Sequence, residues 1–282
     1  MSNKTGILYV VATPIGNLDD ISSRACRILD EVDLILAEDT RRSRKLLNHL
    51  GIVTPMKSYH DFNERKSSPV LLERLIKGEN LALISDAGTP LICDPGYQLV
   101  KTGQEQGIRI VPIPGPSALV SALSVAGLPT DRFVFEGFAP EKPMARKKYL
   151  ANCTTEIRTM IFYEAPQRIL YFFNDAVDAF GAGRVATLAR ELTKKYESIH
   201  KDTLANLSAK LAGNEIPQKG EFVIVIHGAA VETPEALQSV RLLRLLLGHS
   251  LPVKEAVAIA ADFSGARKND LYKIALTLRD ET

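Results

Sequence analysis

The sequence predicts an α/β fold with two α/β domains and a small all-helical C-terminal unit. Short apolar runs of strand length alternate with amphipathic stretches of helical period through most of the chain. Several runs end in turns rich in glycine, proline and hydroxyl groups, a feature of open α/β sheets that bind ligands at the carboxyl ends of their strands. After Thr233 only helical patterns follow. These observations place the domains at 1–116, 117–230 and 231–282.

Length and composition fit a globular chain of about two domains. Its 282 residues are 45% hydrophobic and 24% charged, with a net charge of +2 that neither requires nor excludes an acidic partner. The three cysteines are far apart and form no CxxC pair, which favours a reducing compartment. No targeting segment and no apolar stretch of membrane-spanning length is visible. We therefore expect a cytoplasmic protein without a membrane segment.

The first domain begins with a continuous apolar run, Ile7 to Ala12, which is typical of a strand buried on both faces. Asp19 or Asp20 is expected to cap the helix that follows, because both precede an apolar face of helical period. The alternation then continues with strands at 34–37, at 81–84 and just before Pro112. One predicted helix ends at Gly51, and further helices are predicted at 69–77, 95–107 and 117–126.

Three strand ends open into turns of the same chemical kind. They are Thr13 to Asp20 (TPIGNLDD), Ser85 to Pro90 (SDAGTP) and Pro112 to Ser117 (PIPGPS). Glycine lets the backbone approach a ligand closely and adopt angles that other residues avoid. Ordinary strand-to-helix turns also need glycine and proline. Since these turns follow strands of one domain, we expect them to form a site for a small polar ligand.

A dense charge run, Glu38 to Lys45, follows the second strand and opens a helix. Such runs are more often the solvated face of a capped helix than a site. The carboxylate of Asp39 could therefore either cap the helix or accept a proton. Both interpretations stay open from the sequence.

The alternation restarts after Gly127. Strands are predicted at 132–138, 156–163, 184–189 and 221–227, with helices at 145–151, 167–179 and 204–211. Gly181 to Ala186 matches the dinucleotide pattern GxGxxA, but it follows a helix and precedes a strand, the reverse of the required context. The five histidines have no metal-ligand spacing with one another or with cysteine, so no metal site is expected.

The C-terminal unit is predicted to contain three helices, at 234–247, 253–263 and 268–278. Its middle helix and the following Ser264 to Asn269 have the spacing of a helix-turn-helix. Helical hairpins of this kind also serve as plain packing modules. RNA contact by this unit is therefore one of two interpretations.

Six motifs in order resemble those of the ribosomal RNA small subunit methyltransferase I family. They are TPIGNLDD at 13–20, AEDTR at 37–41, SDAGTP at 85–90, PGPSA at 114–118, FYEAPQR at 162–168 and ARELTKKYE at 189–197. The resemblance runs from residue 6 into the helical tail. It implies the tetrapyrrole methylase fold, with S-adenosylmethionine in the cleft between two α/β domains, and a homodimer. The implied reaction methylates the ribose 2′-hydroxyl of a cytidine in the decoding region of 16S rRNA.

The resemblance also implies the residues that hold the cofactor. The turn after the strand at 81–84 stands where the family cradles the methionine part, although here it reads Asp-Ala-Gly. Ser117 and Ala118 match cofactor-contacting positions of the family, and Tyr163 and the Glu191–Leu192 region match positions near the adenosine. Pro14 and Gly16 match the turn beside the methyl-accepting side of the cleft. The expected cofactor residues are Pro14, Gly16, Asp86, Ala87, Gly88, Thr89, Pro90, Ser117, Ala118, Tyr163, Glu191 and Leu192.

Basic side chains recur near strand ends, where they could meet RNA phosphates at the rim of the cleft. The candidates are Arg41, Arg42, Arg44, Lys45, Arg146, Lys147, Lys148, Lys194 and Lys195. For the proton acceptor, charged side chains at strand ends come into question, namely Glu38, Asp39, Asp86, Glu164, Glu191 and Lys194. Asp39 is favoured because it lies beside Thr40 and Arg41, which could hold a phosphate or the hydroxyl. The other two catalytic candidates are Glu38 and Arg41.

Two other functions stay open. A methylase of porphyrin-like or corrin-like rings would share the fold. The basic runs favour RNA over such a ring, but only by degree, because a tetrapyrrole also carries negatively charged carboxylates. A non-catalytic RNA-binding or ribosome assembly module would bind no S-adenosylmethionine. The partner in the favoured interpretation is 16S rRNA or the small ribosomal subunit.

Overall fold

A computed structural model describes residues 5–230, 234–249 and 251–280 of the chain. The chain divides into two compact units, Met1–Gly228 and Ala229–Thr282. Both β-sheets belong to the first unit, and the second is helical. The α/β fold with a helical C-terminal region is confirmed, whereas the division of the first 230 residues at 116/117 stays a prediction.

The first sheet is entirely parallel and has the strand order β3-β2-β4-β1-β5. The strands are β1 (Ile7–Val11), β2 (Leu34–Ala37), β3 (Met56–Ser58), β4 (Leu81–Ile84) and β5 (Arg109–Ile113). The helices are α1 (Ser23–Glu31), α2 (Thr40–His49), α3 (Asp61–Ile76), α4 (Tyr97–Glu105) and α5 (Ala118–Val125). Strands β2 and β4 are buried at every position, as their unbroken apolar sequences predict.

The second sheet is mixed, with the order β6-β7-β10-β8-β9. Its strands are β6 (Phe133–Phe138), β7 (Thr159–Glu164), β8 (Val185–Arg190), β9 (Ser198–Thr203) and β10 (Phe222–Ile226). Its helices are α6 (Pro143–Asn152), α7 (Ile169–Phe180) and α8 (Leu204–Ala212). Strand β6 is parallel to β7, and β10 is antiparallel to both β7 and β8. The carboxyl ends of β6, β7 and β8 therefore share an edge with the amino end of β10.

The C-terminal unit contains helices α9 (Pro234–Gly248), α10 (Val253–Ser264) and α11 (Lys268–Asp280). Small residues of α10, including Ala256 and Ala260, are buried in a core shared with Leu243 and Leu271. Gly265 follows helix α10 directly, and its φ of 70° is the left-handed conformation that glycine adopts at helix ends. Within the described part of the chain, no helix combines the length and apolarity needed to cross a membrane.

Two helix starts differ from the sequence prediction. Helix α1 is capped by Ser22, whose hydroxyl accepts from the amide of Ala25, while Asp19 and Asp20 lie in a preceding 3-10 turn. Helix α3 begins at Asp61 and continues through Pro69, where the prediction placed its start. The signal for the true start is local, because the Asn63 side chain accepts from the amide of His60.

Strands β3 and β9 were not predicted. Both lie at sheet edges, and neither sequence, MKS and SIHKDT, forms an apolar run. An edge strand buries little of its surface and is held mainly by backbone hydrogen bonds to one neighbour. Hydrophobic periodicity therefore carries little information about such a strand.

Candidate functional site

A cavity of about 430 Å³ lies between the two sheets of the first unit. This volume is within the range of small-molecule sites. Its walls come from strand ends and turns of both sheets. The lining residues are Ile15, Glu38, Arg42, Asp86, Ala87, Gly88, Thr89, Ile92, Cys93, Asp94, Ser117, Ala118, Phe138, Tyr163, Glu164, Ala165, Pro166, Glu221, Phe222 and Val223.

The three predicted turns are joined by hydrogen bonds into one cradle. The amide of Thr13 donates to the carbonyl oxygen of Gly88 over 2.8 Å, and the amide of Gly88 returns a bond of 3.0 Å. The hydroxyl of Thr89 donates to the carbonyl oxygen of Pro116 at 3.0 Å. Because each turn follows a parallel strand, all three meet at the same edge of the sheet. These cross-links fix the floor of the cavity.

Gly88 has a conformation that the cradle requires. Its φ of +84° is strained for residues with a side chain, and a Cβ atom built there would lie 3.4 Å from Cγ2 of Ile15. Both residues line the cavity. A larger side chain at position 88 would therefore enter space between the turn and the apolar wall.

The cavity lining is acidic. Among the described residues, its acidic members are Glu38, Asp86, Asp94, Glu164 and Glu221, and its one cationic member is Arg42. Arg42 is itself paired with Asp86 at 2.9 Å. A cationic ligand group would be stabilised in this cavity, and a group with several negative charges would be repelled.

Asp39 caps helix α2 and does not line the cavity. Its Oδ1 accepts from the amide of Arg41 at 2.8 Å, and its Oδ2 accepts from the Arg41 guanidinium at the same distance. The Arg41 side chain holds the pKa of Asp39 at about 2, so this carboxylate is a weak proton acceptor near neutral pH. The structure thus places Asp39 in the capping role that the sequence left open.

In contrast to Asp39, two acidic residues of the cavity lining, Glu38 and Asp94, have raised pKa values. Burial, followed by the charge of Asp86, raises the pKa of Glu38. Burial raises the pKa of Asp94 to about 6, and the charges of Glu38 and Asp86 act in the same direction. Both residues line the cavity. Raised pKa values of this kind are typical of functional clefts.

The second sheet supplies an aromatic wall. The hydroxyl of Tyr163 accepts from the amide of Leu119 over 3.0 Å, which connects strand β7 to helix α5. The Tyr163 ring packs edge to face against Phe135 and Phe138, and burial raises the pKa of its hydroxyl to about 12. The phenol therefore stays neutral and fixes one side of an apolar slot.

Glu164 lies next to this wall with an incompletely satisfied carboxylate. The side chain is buried, and its Oε1 accepts from the guanidinium of Arg168 at 2.6 Å. Burial raises its pKa. Within the described residues, Oε2 of Glu164 is buried and has no hydrogen-bond partner. A buried acceptor without a partner is costly, and a ligand donor could satisfy it.

Five of the expected cofactor residues lie outside the cavity lining: Pro14, Gly16, Pro90, Glu191 and Leu192. Gly16 packs so closely on the loop after β8 that a Cβ atom there would lie 2.4 Å from Cγ of Lys194. Glu191 accepts from the amide of Glu221 at 2.9 Å and pairs with Lys194 at 3.0 Å. These contacts place Gly16 and the 191–194 loop together beside the cavity.

The structure places most of the candidate RNA-binding side chains at the surface. Arg41, Arg42, Arg44 and Lys45 are exposed on α2, Lys147 and Lys148 on α6, and Lys195 after β8, whereas Lys194 is partly buried. Arg146 differs from the prediction: it is 4% exposed and pairs with the buried Asp175 at 2.7 Å. Because this guanidinium is held in the interior between α6 and α7, it is a structural residue and not an RNA contact.

Several lining residues were not singled out from the sequence. They are Ile15, Ile92, Cys93, Asp94, Phe138, Ala165, Pro166, Glu221, Phe222 and Val223. Asp94 follows the SDAGTP turn by only four residues, and a search for every acid near a strand-end turn would have found it. The residues of β10 could not be found in this way, because they enter the site from the amino end of a strand.

The lining fits S-adenosylmethionine, the cofactor expected from the sequence. Its sulfonium and ammonium groups are cations that the carboxylates would stabilise, while its adenine requires an apolar slot such as that formed by Tyr163, Phe138 and Val223. The partnerless Oε2 of Glu164 could accept a donor of such a ligand. The described ranges contain no group of three or more His, Cys, Asp or Glu side chains arranged to hold a metal ion.

Comparison with known proteins defines the class first. Residues 7–208 match the family model of the Tetrapyrrole (Corrin/Porphyrin) Methylases. Uroporphyrin-III C-methyltransferase from Thermus thermophilus, solved in complex with S-adenyl homocysteine, has a TM-score of 0.53 at 15% identity, covering 79% of this chain and 97% of that one. Diphthine synthase has a TM-score of 0.59 at 14% identity, covering 79% and 90%. At these identities, the likeness shows the fold alone.

Closer relatives then specify the family within this class. Residues 233–279 match the model described as RsmI C-terminal HTH domain. Ribosomal RNA small subunit methyltransferase I of Pseudomonas aeruginosa is 52% identical over 96% of this chain and 97% of its own length. The protein of the same name from Escherichia coli O157:H7 is 49% identical over 97% and 96%. The chain belongs to the ribosomal RNA small subunit methyltransferase I family, as its motifs predict.

Proposed function

We propose that the protein transfers a methyl group from S-adenosylmethionine to the ribose 2′-hydroxyl of a cytidine in the decoding region of 16S rRNA. The observation that carries this proposal is the acidic cavity between the two sheets, in a chain that shares 52% identity with a relative named as a small subunit rRNA methyltransferase. Family membership supports methyl transfer to rRNA. The choice of nucleotide and of the ribose hydroxyl is our proposal.

The cofactor is S-adenosylmethionine, which supplies an activated methyl group on a positively charged sulfur. We place its amino-acid part on the turn formed by Asp86 to Pro90 and its adenosine between Ser117, Ala118 and Tyr163. Pro14 and Gly16, with Glu191 and Leu192 opposite them, would complete the walls. The cross-linked turns need no rearrangement to hold a ligand, so little ordering cost accompanies binding.

The protein has three tasks in this reaction: it must align the hydroxyl with the methyl group, exclude water and accept a proton. Alignment in a rigid site can contribute roughly 7–11 kcal/mol of the barrier reduction. The cradle and the aromatic wall provide rigidity and apolar surface for the first two tasks. The third task would fall to an acidic residue of the lining.

RNA phosphates would be held at the rim and not inside the cavity. The acidic lining repels phosphate, whereas exposed cations of α2 stand at its first-sheet side, where Arg42 lines the cavity and carries an exposed guanidinium. We propose that Arg41, Arg42, Arg44 and Lys45 bind RNA, with Lys147, Lys148, Lys194 and Lys195 on the second-sheet half. Ribosomal RNA as substrate would place the protein in the bacterial cytoplasm.

The cavity charge also separates this function from its alternatives. Methylation of a porphyrin-like or corrin-like ring is favoured by the family model of residues 7–208. A tetrapyrrole carries several carboxylates, however, and the lining acids Glu38, Asp86 and Asp94, with Arg42 as their neighbouring cation, would repel it. A non-catalytic RNA-binding module would have no use for a preformed cavity with a cofactor cradle.

We further propose a symmetric homodimer in which one protomer helps to hold RNA over the cleft of the other. Sedimentation at micromolar concentration should then give twice the chain mass of 30.9 kDa. A fully active monomer at that concentration would remove this part of the proposal.

The function is tested with purified protein, labelled S-adenosylmethionine and small ribosomal subunits from cells that lack the gene. We expect label in 16S rRNA as a 2′-O-methylated cytidine, and we expect cofactor binding in equilibrium dialysis without RNA. Binding of the cofactor without transfer to naked 16S rRNA or subunits would contradict rRNA methylation. Absence of binding would favour the non-catalytic module.

A further inference from the structure

Phe62 is an apolar side chain that lies in water at the start of helix α3. It is 99% exposed, although it stands in the first turn of the helix, where polar side chains are favoured. A single exposed apolar residue needs no explanation by itself. The position of Phe62 and the groups around it give it a role.

The strand before α3 places Phe62 at the mouth of the cavity. Strand β3 is parallel to β2, so both end at the edge of the sheet that holds the cavity. At this edge, the Ser58 hydroxyl donates to the carbonyl oxygen of Glu38, a lining residue, at 3.5 Å. Helix α3 begins three residues after Ser58. The first turn of α3 therefore stands beside the cavity and outside its lining.

The backbone that carries Phe62 is fixed by hydrogen bonds. The Asn63 side chain accepts from the amide of His60 at 3.0 Å and donates to the carbonyl oxygen of Ser58 at 3.1 Å. The ring of Phe62 packs edge to face on that of His60, with ring centroids 6.0 Å apart. A ring held in this way loses little conformational freedom when a ligand binds to its exposed face.

Exposed cations flank Phe62 on the two helices that start at this edge. They are Arg41, Arg42, Arg44 and Lys45 on α2, and Arg65 and Lys66 on α3. The exposed Asp61 offsets part of this charge, whereas Glu64 is already engaged with the amides of Gly96 and Gln98 at 3.1 and 3.0 Å. Aromatic rings beside such cations are typical of proteins that bind single-stranded nucleic acid, because the cations follow the phosphates and the rings stack on bases.

A second copy of the chain is a poorer occupant of this surface. A stable interface buries about 800 Å² on each partner, around a core that is depleted of charged residues. The neighbours of Phe62 on the exposed side of α3 are the charged residues Asp61, Arg65 and Lys66. One ring within a charged surface suits a flat base, whose phosphates would meet the cations, better than it suits an apolar interface.

We propose that the ring of Phe62 stacks on an unpaired base of the RNA substrate and so holds the strand at the mouth of the cavity. This inference rests on the proposed function and adds a base contact to its phosphate contacts. The ribose must reach the cavity from RNA that is bound at the rim, and a stacked base fixes the strand there. Stacking tolerates any base, so Phe62 positions the RNA without selecting the nucleotide.

The main test measures affinity for small ribosomal subunits from cells that lack the gene, with S-adenosylhomocysteine present to prevent turnover. Phe62→Ala should weaken binding by roughly 5- to 150-fold, as expected for the loss of one stacked base. Phe62→Tyr keeps an aromatic face and should bind nearly as well as the wild type. Phe62→Leu keeps apolar surface without that face and should bind about as weakly as Phe62→Ala. Wild-type affinity in Phe62→Ala or Phe62→Leu would overturn the proposal.

Salt dependence separates the stacked base from the phosphate contacts. A base contact releases no counterions, so Phe62→Ala should lower the affinity without changing the slope of log affinity against log salt. Phe133→Ala is the matched control, since Phe133 is also exposed but stands at the start of β6, whose other end reaches the cavity with Phe138. A reduced slope in Phe62→Ala, or an equal loss of affinity in Phe133→Ala, would contradict the assignment.

A fluorescence experiment observes the contact itself. The sequence contains no tryptophan, so Phe62→Trp introduces a single indole at the proposed contact. Stacking on a base should quench its emission when naked 16S rRNA binds. Unchanged emission in a Phe62→Trp protein that binds the RNA would overturn the proposal.

Sedimentation and cofactor binding separate this role from others. Phe62→Ala should keep the wild-type mass and the wild-type affinity for S-adenosylmethionine, because Phe62 does not belong to the cavity lining. A loss of mass would identify Phe62 as a contact between copies of the chain and overturn the proposal. If the wild-type protein binds subunits but leaves the ribose unmethylated, the proposed function fails instead, and the affinities of the Phe62 variants still decide the stacking contact.

Discussion

The two sheets of the first unit build their sides of one cavity in different ways. In the parallel sheet, every strand points the same way, so the turns after β1, β4 and β5 meet at one edge. In the mixed sheet, the ends of β6 and β7 reach the cavity together with the start of β10. The first side contributes Gly88 and most of the acids, and the second contributes Tyr163 and Phe138.

This difference assigns separate tasks to the two walls. The parallel wall holds turns that are joined by hydrogen bonds and the acidic residues Glu38, Asp86 and Asp94, so it sets the charge of the cavity. The mixed wall has aromatic rings fixed by edge-to-face packing, so it governs shape. Changes in the first wall should therefore affect binding and catalysis more strongly than changes in the second.

The largest effect is expected for Gly88→Val. A branched side chain would enter the space beside Ile15 and strain a backbone with φ of +84°, so cofactor affinity should fall more than about 100-fold. Gly181→Val is the matched control, since its φ is +87° and nothing lies within 4 Å of the added Cβ atom. Equilibrium dialysis with labelled cofactor gives both affinities. A folded Gly88→Val protein with wild-type affinity would remove this turn from the site.

Tyr163→Ala tests the mixed wall and should weaken cofactor binding by at least about tenfold, because burial of a large apolar side chain contributes about 1.5–3 kcal/mol. The hydroxyl of Tyr163 also accepts a hydrogen bond from the amide of Leu119. The cofactor affinity of Tyr163→Phe should therefore lie between those of the wild type and of Tyr163→Ala. Tyr171→Ala, on the exposed face of α7, controls for loss of a ring. If Tyr163→Ala were more damaging than Gly88→Val, the assigned tasks would have to be exchanged.

The rim should respond differently from both walls. Replacing Arg41 and Arg44 by alanine should leave cofactor affinity unchanged but reduce the slope of log affinity for RNA against log salt by roughly 1.4 to 1.8, about 0.7 to 0.9 for each lost phosphate contact. The double variant Lys77→Ala with Lys101→Ala is the control, because it removes one exposed cation at the end of α3 and one on α4. An unchanged slope in the arginine variant would make the α2 cations a solvated face.

The smallest effect is expected for Asp39→Asn. Asparagine caps a helix about as well as aspartate, so both the melting temperature and the single-turnover rate should stay close to wild type. Asparagine cannot accept the proton. A large rate loss at an unchanged melting temperature would therefore identify Asp39 as the base.

The comparison also explains what the sequence could predict. Strands β2 and β4 are buried on both faces, and their apolar runs give their bounds directly. The turns of the parallel sheet carry their own glycine and proline signals, and Asp86 to Thr89, Ser117 and Ala118 do line the cavity. The part of the lining that comes from these turns was therefore largely predictable from local sequence, and its role in cofactor binding stays a prediction.

Contributions that depend on chain packing were not predictable. Glu221 to Val223 enter the site because β10 runs antiparallel to β7, a pairing that no local pattern specifies. Arg146 has the sequence of an exposed basic run but is buried through its pair with Asp175, 29 residues away in the chain. Likewise, no local pattern shows that Asp94 lines the cavity and that Asp39 does not.

The central claim, methylation of a cytidine ribose in 16S rRNA, is tested most directly by a nucleoside map. Mass spectrometry of 16S rRNA fragments would be compared between wild-type cells, cells lacking the gene, and cells complemented with the wild-type or the Gly88→Val protein. We predict that one 2′-O-methylated cytidine in the decoding region is lost in the deletion, restored by the wild-type protein and not restored by Gly88→Val. An identical set of ribose methylations with and without the gene would contradict the account.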